Sequence, residues 1–173
     1  MLDPQQQQLI RQRTGWPDDI IRYIGSMPEA EIDMRAKLKA RVIGNEWALC
    51  RTDINWADYS ILRNTWLRDS PQQGLKKYDE WKEYNNADLI GEGFPPRDPN
   101  GDPYELHHIG QQQESPFAEL TWAEHMGDGN NAILHPVRES EINRGEFAYE
   151  KSDYWMARFN AFTEEEKVSI YGH

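Results

Sequence analysis

The sequence predicts an α+β fold: a helical N-terminal part with one hairpin, then two short strands followed by short helices, and a longer C-terminal helix. Helix-capping signals precede amphipathic runs, short apolar runs flank turn residues, and a stretch dense in Gly, Pro and Asp separates the two parts. That stretch, residues 91–103, cannot sustain a helix or a central strand. We therefore divide the chain into residues 1–95 and residues 96–173.

The N-terminal part is expected to contain short helices. Pro17 is placed to open a helix over residues 18–24, and Gly25 is placed to end it. Ser26 and Glu29 then have the spacing of a capping box ahead of a second helix. Two later amphipathic stretches, 56–67 and 75–84, continue the helical pattern.

Strand signals occur in both parts. Gly44-Asn45 between two apolar runs predicts a hairpin turn. Residues 104–109 and 116–120 are short strand-like runs, and Thr121 with Glu124 supplies a capping box for the helix that follows. This order predicts two strands and then a helix in the C-terminal part.

The C-terminal part continues with two more helical segments. A short helical turn is expected over residues 131–135, where Pro136 stops it. A longer helix is expected over residues 145–162, because its aromatic residues recur near one face.

Size and composition exclude several classes of protein. A chain of 173 residues with 7 Trp, 8 Tyr and 5 Phe can build a core, so disorder of the whole chain is not expected. No apolar run approaches the roughly 20 residues that span a bilayer, and the first residues lack the apolar stretch of a secretory signal. The single Cys50 excludes an internal disulfide framework and a cysteine-based zinc site.

The formal net charge of −11 argues against a broadly basic surface that grips nucleic acid. The acidity is concentrated after residue 95, where 6 basic residues stand against 15 acidic ones. A metal ion and a local cluster of arginines could still present a positive groove, but the sequence does not show such a cluster.

Four of the five histidines, His107, His108, His125 and His135, fall within 29 residues, whereas His173 ends the chain. Adjacent residues on a strand point to opposite faces, so the His107-His108 pair suits two different tasks. Imidazoles without thiolates suit Zn²⁺, Ni²⁺ or Mn²⁺. Taken as bare residues, however, the cluster is as compatible with a structural metal site or a capped loop as with a catalytic centre.

The sequence segments around these histidines resemble the HNH/endonuclease VII nucleases marked by a Leu-His-His motif. Those domains typically form the C-terminal toxin tips of bacterial polymorphic toxins. Five elements carry the resemblance in order: Leu106-His107-His108-Ile109-Gly110-Gln111, SPFAELT over 115–121, Glu124-His125, Gly129-Asn130-Asn131 and Leu134-His135. The tail ESEINRGEFAYEKSDYW is similar to the helix that follows in this family, and residues 13–56 are similar to the segment that precedes such tips. Residues 57–92 match nothing recognisable.

The resemblance implies an HNH-like ββα-metal nuclease unit in residues 96–173 and a toxin-associated segment in residues 1–95. It implies that His107 is a metal ligand and that His108 is the general base that activates water. His135 is then the second ligand and His125 a third, holding one divalent ion such as Mg²⁺, Mn²⁺ or Zn²⁺.

Two asparagines and two glutamates complete the implied site. Asn130 or Asn131 would take the motif's Asn role, bracing the loop or orienting the base. Glu105 and Glu119 suit surface or supporting positions. His125 and His135 lie ten residues apart, so the loop MGDGNN must fold back to bring both to one metal.

The implied activity is hydrolysis of phosphodiester bonds in nucleic acid, with DNA favoured over RNA. The implied setting is the effector tip of a larger secreted toxin that acts in the cytoplasm of a target cell, and a cognate immunity protein is the implied partner. Two alternatives stay open: an RNase toxin of the same fold, and a non-catalytic binding module stabilised by zinc. The binding-module alternative requires that all coordination positions of the metal be filled by the protein, and in it His108 contributes only to folding.

Overall fold

The computed structural model of the protein describes residues 1–69, 78–136 and 144–172. Its mixed helices and strands, with a helical N-terminal region and a long C-terminal helix, confirm the α+β prediction. The chain forms two compact units, the first from residues 1–52 and 105–147 and the second from residues 53–104 and 148–173. The division between residues 95 and 96 stays a prediction.

Nine helices have defined bounds in the described ranges: α1 (Pro4–Thr14), α2 (Asp18–Ile21), α3 (Met27–Arg35), α4 (Thr65–Asp69), α5 (Asn86–Gly91), α6 (Trp122–Met126), α7 (Asn130–Leu134), α8 (Arg144–Asn160) and α9 (Glu164–Tyr171). Short 3₁₀ turns lie at Ser60–Arg63 and Ile109–Gln111. No helix in the described part of the chain is both long and apolar enough to cross a membrane.

Helix α2 begins where it was predicted but ends earlier. The amide of Tyr23 donates to the carbonyl of Ile20 at 3.0 Å, and the amide of Ile24 donates to that of Ile21 at 3.1 Å. Both bonds span three residues, so the chain tightens into 3₁₀-like turns before Gly25. The α-helical part is therefore shorter than residues 18–24.

A four-stranded sheet organises the first unit. Its strands are β1 (Lys39–Ile43), β2 (Glu46–Cys50), β3 (Glu105–His108) and β4 (Phe117–Leu120), in the order β1-β2-β4-β3. The predicted Gly44-Asn45 turn joins β1 to β2, and β3 pairs with β4 antiparallel, as expected for a ββα unit. Strand β2 pairs with β4 in parallel, which the sequence did not predict. One sheet thus combines the N-terminal hairpin with the histidine strand.

The core of the first unit draws on both of its chain segments. The cluster contains buried side chains from α1–α3 and the residues beside them, from the sheet and the turn after β3, and from the end of α7: Leu2, Ile10, Trp16, Ile20, Ile21, Ile24, Ala30, Ile32, Leu38, Leu49, Ile109, Ala118, Leu120 and Leu134. Glu119, which is 0% exposed, accepts a hydrogen bond from the Arg51 amide at 2.9 Å. The N-terminal segment is therefore part of the body that holds the histidines.

The second unit has its own small core of Ile61, Leu67, Trp81 and Leu89. Helix α5 begins with a capping box in which Asn85 and Asp88 bond reciprocally. The predicted amphipathic stretch 56–67 forms a 3₁₀ turn and the start of α4. The beginning of the second predicted stretch, 75–84, lies in residues 70–77, which are outside the described residues. The predicted C-terminal helix over residues 145–162 is confirmed as α8.

Candidate metal centre

His107 lies on β3, opposite Ala118 of β4, and is 2% exposed. Its Nε2 is 3.0 Å from Oε2 of Glu29, which reaches it from α3. A carboxylate only accepts hydrogen bonds, so the ring donates through Nε2 and keeps the Nδ1 lone pair for another partner. Burial lowers the pKa of His107, although the hydrogen bond and charge of Glu29 oppose this. The ring is thus favoured in the neutral form that a metal ligand requires.

His125 lies on α6, which opens with the predicted capping box of Thr121 and Glu124. Both halves of the box form, with bonds of 3.1 and 2.8 Å. The box fixes the start of a helix only five residues long, so it also fixes where His125 stands. Nδ1 of His125 donates to Oε1 of Glu105 at 2.6 Å, which leaves Nε2 as the acceptor nitrogen.

His135 follows the last residue of α7. Its Nδ1 donates to the side-chain oxygen of Asn131 at 2.9 Å and lies 3.1 Å from the same residue's carbonyl oxygen. Nε2 of His135 is 3.2 Å from Nε2 of His125. The chain therefore folds back between the two helices, as the sequence required.

The fold-back has a clear backbone cause. Asp128 and Gly129 both adopt the left-handed region, with φ of 51° and 77°. Asn130 then donates from its side chain to the carbonyl of Glu124 at 2.9 Å, tying the start of α7 to α6. Asn130 thus braces the loop, whereas Asn131 orients an imidazole.

The three rings converge on one point. One nitrogen from each of His107, His125 and His135 can be chosen so that all lie within 4.8 Å of one another, and this is the one such group among the described residues. Two acceptor nitrogens that face each other at 3.2 Å repel unless they share a proton or a metal cation. Tetrahedral Zn²⁺ with bonds of roughly 2.0–2.1 Å separates its nitrogen ligands by about 3.3 Å. The all-imidazole donor set and the spacing of the His125–His135 pair therefore fit a divalent metal.

His108 faces away from this cluster. Its ring is 1% exposed and packs against Phe117 and Phe147, with ring centroids 4.4 and 4.7 Å apart. Burial lowers the pKa of His108 to about 4, with the charge of His107 adding to the effect and a backbone hydrogen bond to Ser115 opposing it. The structure thus assembles three of the four motif histidines and places the fourth on the opposite face of the strand. Its role as general base stays a prediction.

Two acidic residues of α3 were missed as site residues. Glu29 was identified only by its capping-box spacing, and its partner His107 is 78 residues away. Asp33 is 0% exposed, and neither of its carboxylate oxygens has a hydrogen-bond partner among the described residues. Burial, with the nearby charges of Glu29 and Glu124, raises the pKa of Asp33 well above its usual value. The four-residue spacing from Glu29 to Asp33 was the available signal, because it puts both on one helix face.

A family model matches part of the chain. Residues 85–161 match the family model described as "LHH: A nuclease of the HNH/ENDO VII superfamily with conserved LHH". No curated protein and no solved structure matches the chain. The matched range contains all four motif histidines and both asparagines, and it confirms the resemblance for this part of the chain.

Proposed function

We propose that this protein, a nuclease of the HNH/ENDO VII superfamily by its residues 85–161, hydrolyses phosphodiester bonds of DNA with one divalent metal ion. The observation that carries the proposal is the convergence of His107, His125 and His135 inside the matched segment. Each ring is oriented by an oxygen acceptor, from Glu29, Glu105 and Asn131 respectively. Such outer partners fix the tautomer and direction of a ligating imidazole.

The three histidines would hold the metal, which when bound supplies charge stabilisation to the phosphate and its leaving oxygen. An all-imidazole set favours Zn²⁺ or another nitrogen-accepting ion over Mg²⁺, which prefers oxygen ligands. Among the described residues three protein ligands converge, which leaves a position open in a tetrahedral shell, as catalytic sites require and saturated structural sites do not. This count supports catalysis over the zinc-stabilised binding module.

The protein residues would divide the remaining work. Neutral His108 would take the proton of the water that attacks phosphorus, while the bond from phosphorus to the leaving oxygen breaks. This assignment is supported by the family pattern and by the adjacency of His108 to His107. Because the His108 ring is 1% exposed, the role requires that the ring gain access to water when the substrate binds.

Cleavage of supercoiled plasmid and of total tRNA tests the activity. Wild-type protein and His108→Ala would be compared in Mg²⁺, Mn²⁺, Zn²⁺ or EDTA, with His173→Ala as a matched histidine control from outside the motif. We expect metal-dependent plasmid nicking by wild type and by the control, and a loss of about 100-fold or more in folded His108→Ala. Cleavage of tRNA alone would replace DNA by RNA as the substrate. If the protein binds metal but cleaves neither substrate in any metal, the result would contradict the nuclease proposal and favour the zinc-stabilised binding module.

We further propose that the protein is the toxic effector domain of an interbacterial polymorphic toxin. It would act in the cytoplasm of the target cell and be neutralised by a cognate immunity protein. The resemblance of the Leu-His-His segment to toxin tips supports this setting, and the acidic surface suits a basic partner.

Expression in bacterial cells without any immunity gene tests the toxin role. We expect growth arrest with wild type and normal growth with His107→Ala, because loss of a metal ligand removes the activity. Normal growth with wild type at an equal protein level would contradict the toxin proposal.

A further inference from the structure

We infer that Glu29 is a positioning residue of the nuclease centre, supplied by the N-terminal segment from outside the matched residues 85–161. It would hold the imidazole of His107 in the orientation that presents Nδ1 to the metal. The inference rests on the proposed function for the metal-binding role of His107. It assigns to residues 1–52 a part in the active site.

The carboxylate of Glu29 is held by three donors at once. Its Oε1 accepts from the Gly25 amide at 2.6 Å, and its Oε2 accepts from the Gly110 amide at 2.9 Å and faces Nε2 of His107 at 3.0 Å. The side chains of Glu29 and His107 are 3% and 2% exposed. A buried charge with three donors is satisfied, whereas removing it leaves those donors without an acceptor.

The surrounding backbone leaves the carboxylate little freedom to move. Gly110 has φ of 69°, and a Cβ added there would lie 2.0 Å from the carbonyl oxygen of Tyr23. The turn after β3 therefore lies directly against the segment that leads into α3. The hydroxyl of Ser26 caps the Glu29 amide at 3.2 Å, which fixes the first turn of that helix. The end of β3 and the start of α3 therefore both pack around the Glu29 carboxylate.

The other two rings obtain their partners within the matched segment. Glu105 holds His125 from 20 residues away in sequence, and Asn131 holds His135 from 4 residues away. His107 instead depends on a residue 78 positions away. The N-terminal hairpin and helices are therefore expected to be needed for metal binding as well as for stability.

Zn²⁺ affinity, measured by calorimetric titration in competition with a chelator, tests the inference on the full chain. Glu29→Gln would be compared with Glu31→Gln, the same chemical change two residues along the same helix. Glu31 pairs with Arg13 at 2.8 Å. We expect Glu29→Gln to weaken Zn²⁺ binding by about 10- to 100-fold and Glu31→Gln to leave it within about twofold of wild type. Thermal unfolding of the metal-free proteins would be recorded beside it.

A folded Glu29→Gln protein that binds Zn²⁺ and cleaves nucleic acid as wild type does would overturn the positioning role and leave the proposed nuclease intact. A wild-type protein that does not cleave nucleic acid would instead contradict the proposed function, whatever effect Glu29→Gln has on Zn²⁺ affinity.

If Glu29→Gln does not fold, nitrogen NMR of the imidazoles in metal-free wild type decides the point. The inference expects the ring proton of His107 on Nε2. A ring proton on Nδ1 of His107 would overturn it, because Nε2 would then have no hydrogen to give Glu29.

Discussion

Asp33 is a buried carboxyl beside two other carboxylates, those of Glu29 and Glu124. Burial and these charges raise the pKa of Asp33 above its value of 3.8 in an unfolded chain. The folded protein therefore binds a proton that the unfolded chain has released at the same pH. The stabilisation from this proton is complete below about pH 4 and is lost as pH rises toward the raised folded pKa. At neutral pH the residue is thus a net cost to the fold.

Replacing Asp33 by Asn is expected to raise the free energy of unfolding of the metal-free protein at pH 7 by about 1–3 kcal/mol, since an amide has no charge to bury and no proton to take up on folding. The gain should shrink as pH falls toward 4, because the unfolded chain then begins to bind the same proton. Urea unfolding from pH 4 to 7 in EDTA measures it, with exposed Asp19→Asn as control. A gain that grows as pH falls would contradict the assignment of a raised pKa.

At the level of single elements, the sequence predicted well those features that depend on hydrogen bonds between residues close in the chain. The capping box of Thr121 and Glu124, the Gly44-Asn45 turn and the strand pair β3–β4 all depend on residues close in sequence, and all were found. Each rests on backbone geometry that a few neighbouring side chains dictate.

The features that were missed depend on distant partners. Spacing alone suggested that Glu29 caps its own helix, but the carboxylate binds Gly25, Gly110 and His107 instead. The parallel pairing of β2 with β4 likewise joins segments separated by more than sixty residues. A single sequence has no repeating pattern that indicates contacts between distant residues. The histidines of the site could therefore be predicted, but the hydrogen bond from His107 to Glu29 could not.

On the scale of the whole molecule, the matched family segment and the compact units do not coincide. Residues 85–161 include β3, β4, α6 and α7, but they lack β1, β2 and α3. Within the first unit, Leu49 of β2 and Ile20 and Ile24 of the N-terminal helical region share a core with Ile109 and Leu120. The matched segment alone would expose this apolar face and leave β4 without one neighbour.

A fragment of residues 85–161 is therefore expected to lack cooperative thermal unfolding and to bind Zn²⁺ at least about 10-fold more weakly than the full chain. Burying each large aliphatic side chain of the shared core is worth about 1.5–3 kcal/mol, which is a large share of a small domain's stability. The fragment also loses Glu29, the partner of His107. Calorimetric unfolding and Zn²⁺ titration of the fragment would be compared with the full chain and with full-length His107→Ala, which separates loss of a ligand from loss of the fold. A fragment that melts cooperatively and binds Zn²⁺ as tightly as the full chain would show that the N-terminal segment is dispensable to the centre. The weaker binding expected here would show that the hairpin and α3 support the proposed metal centre.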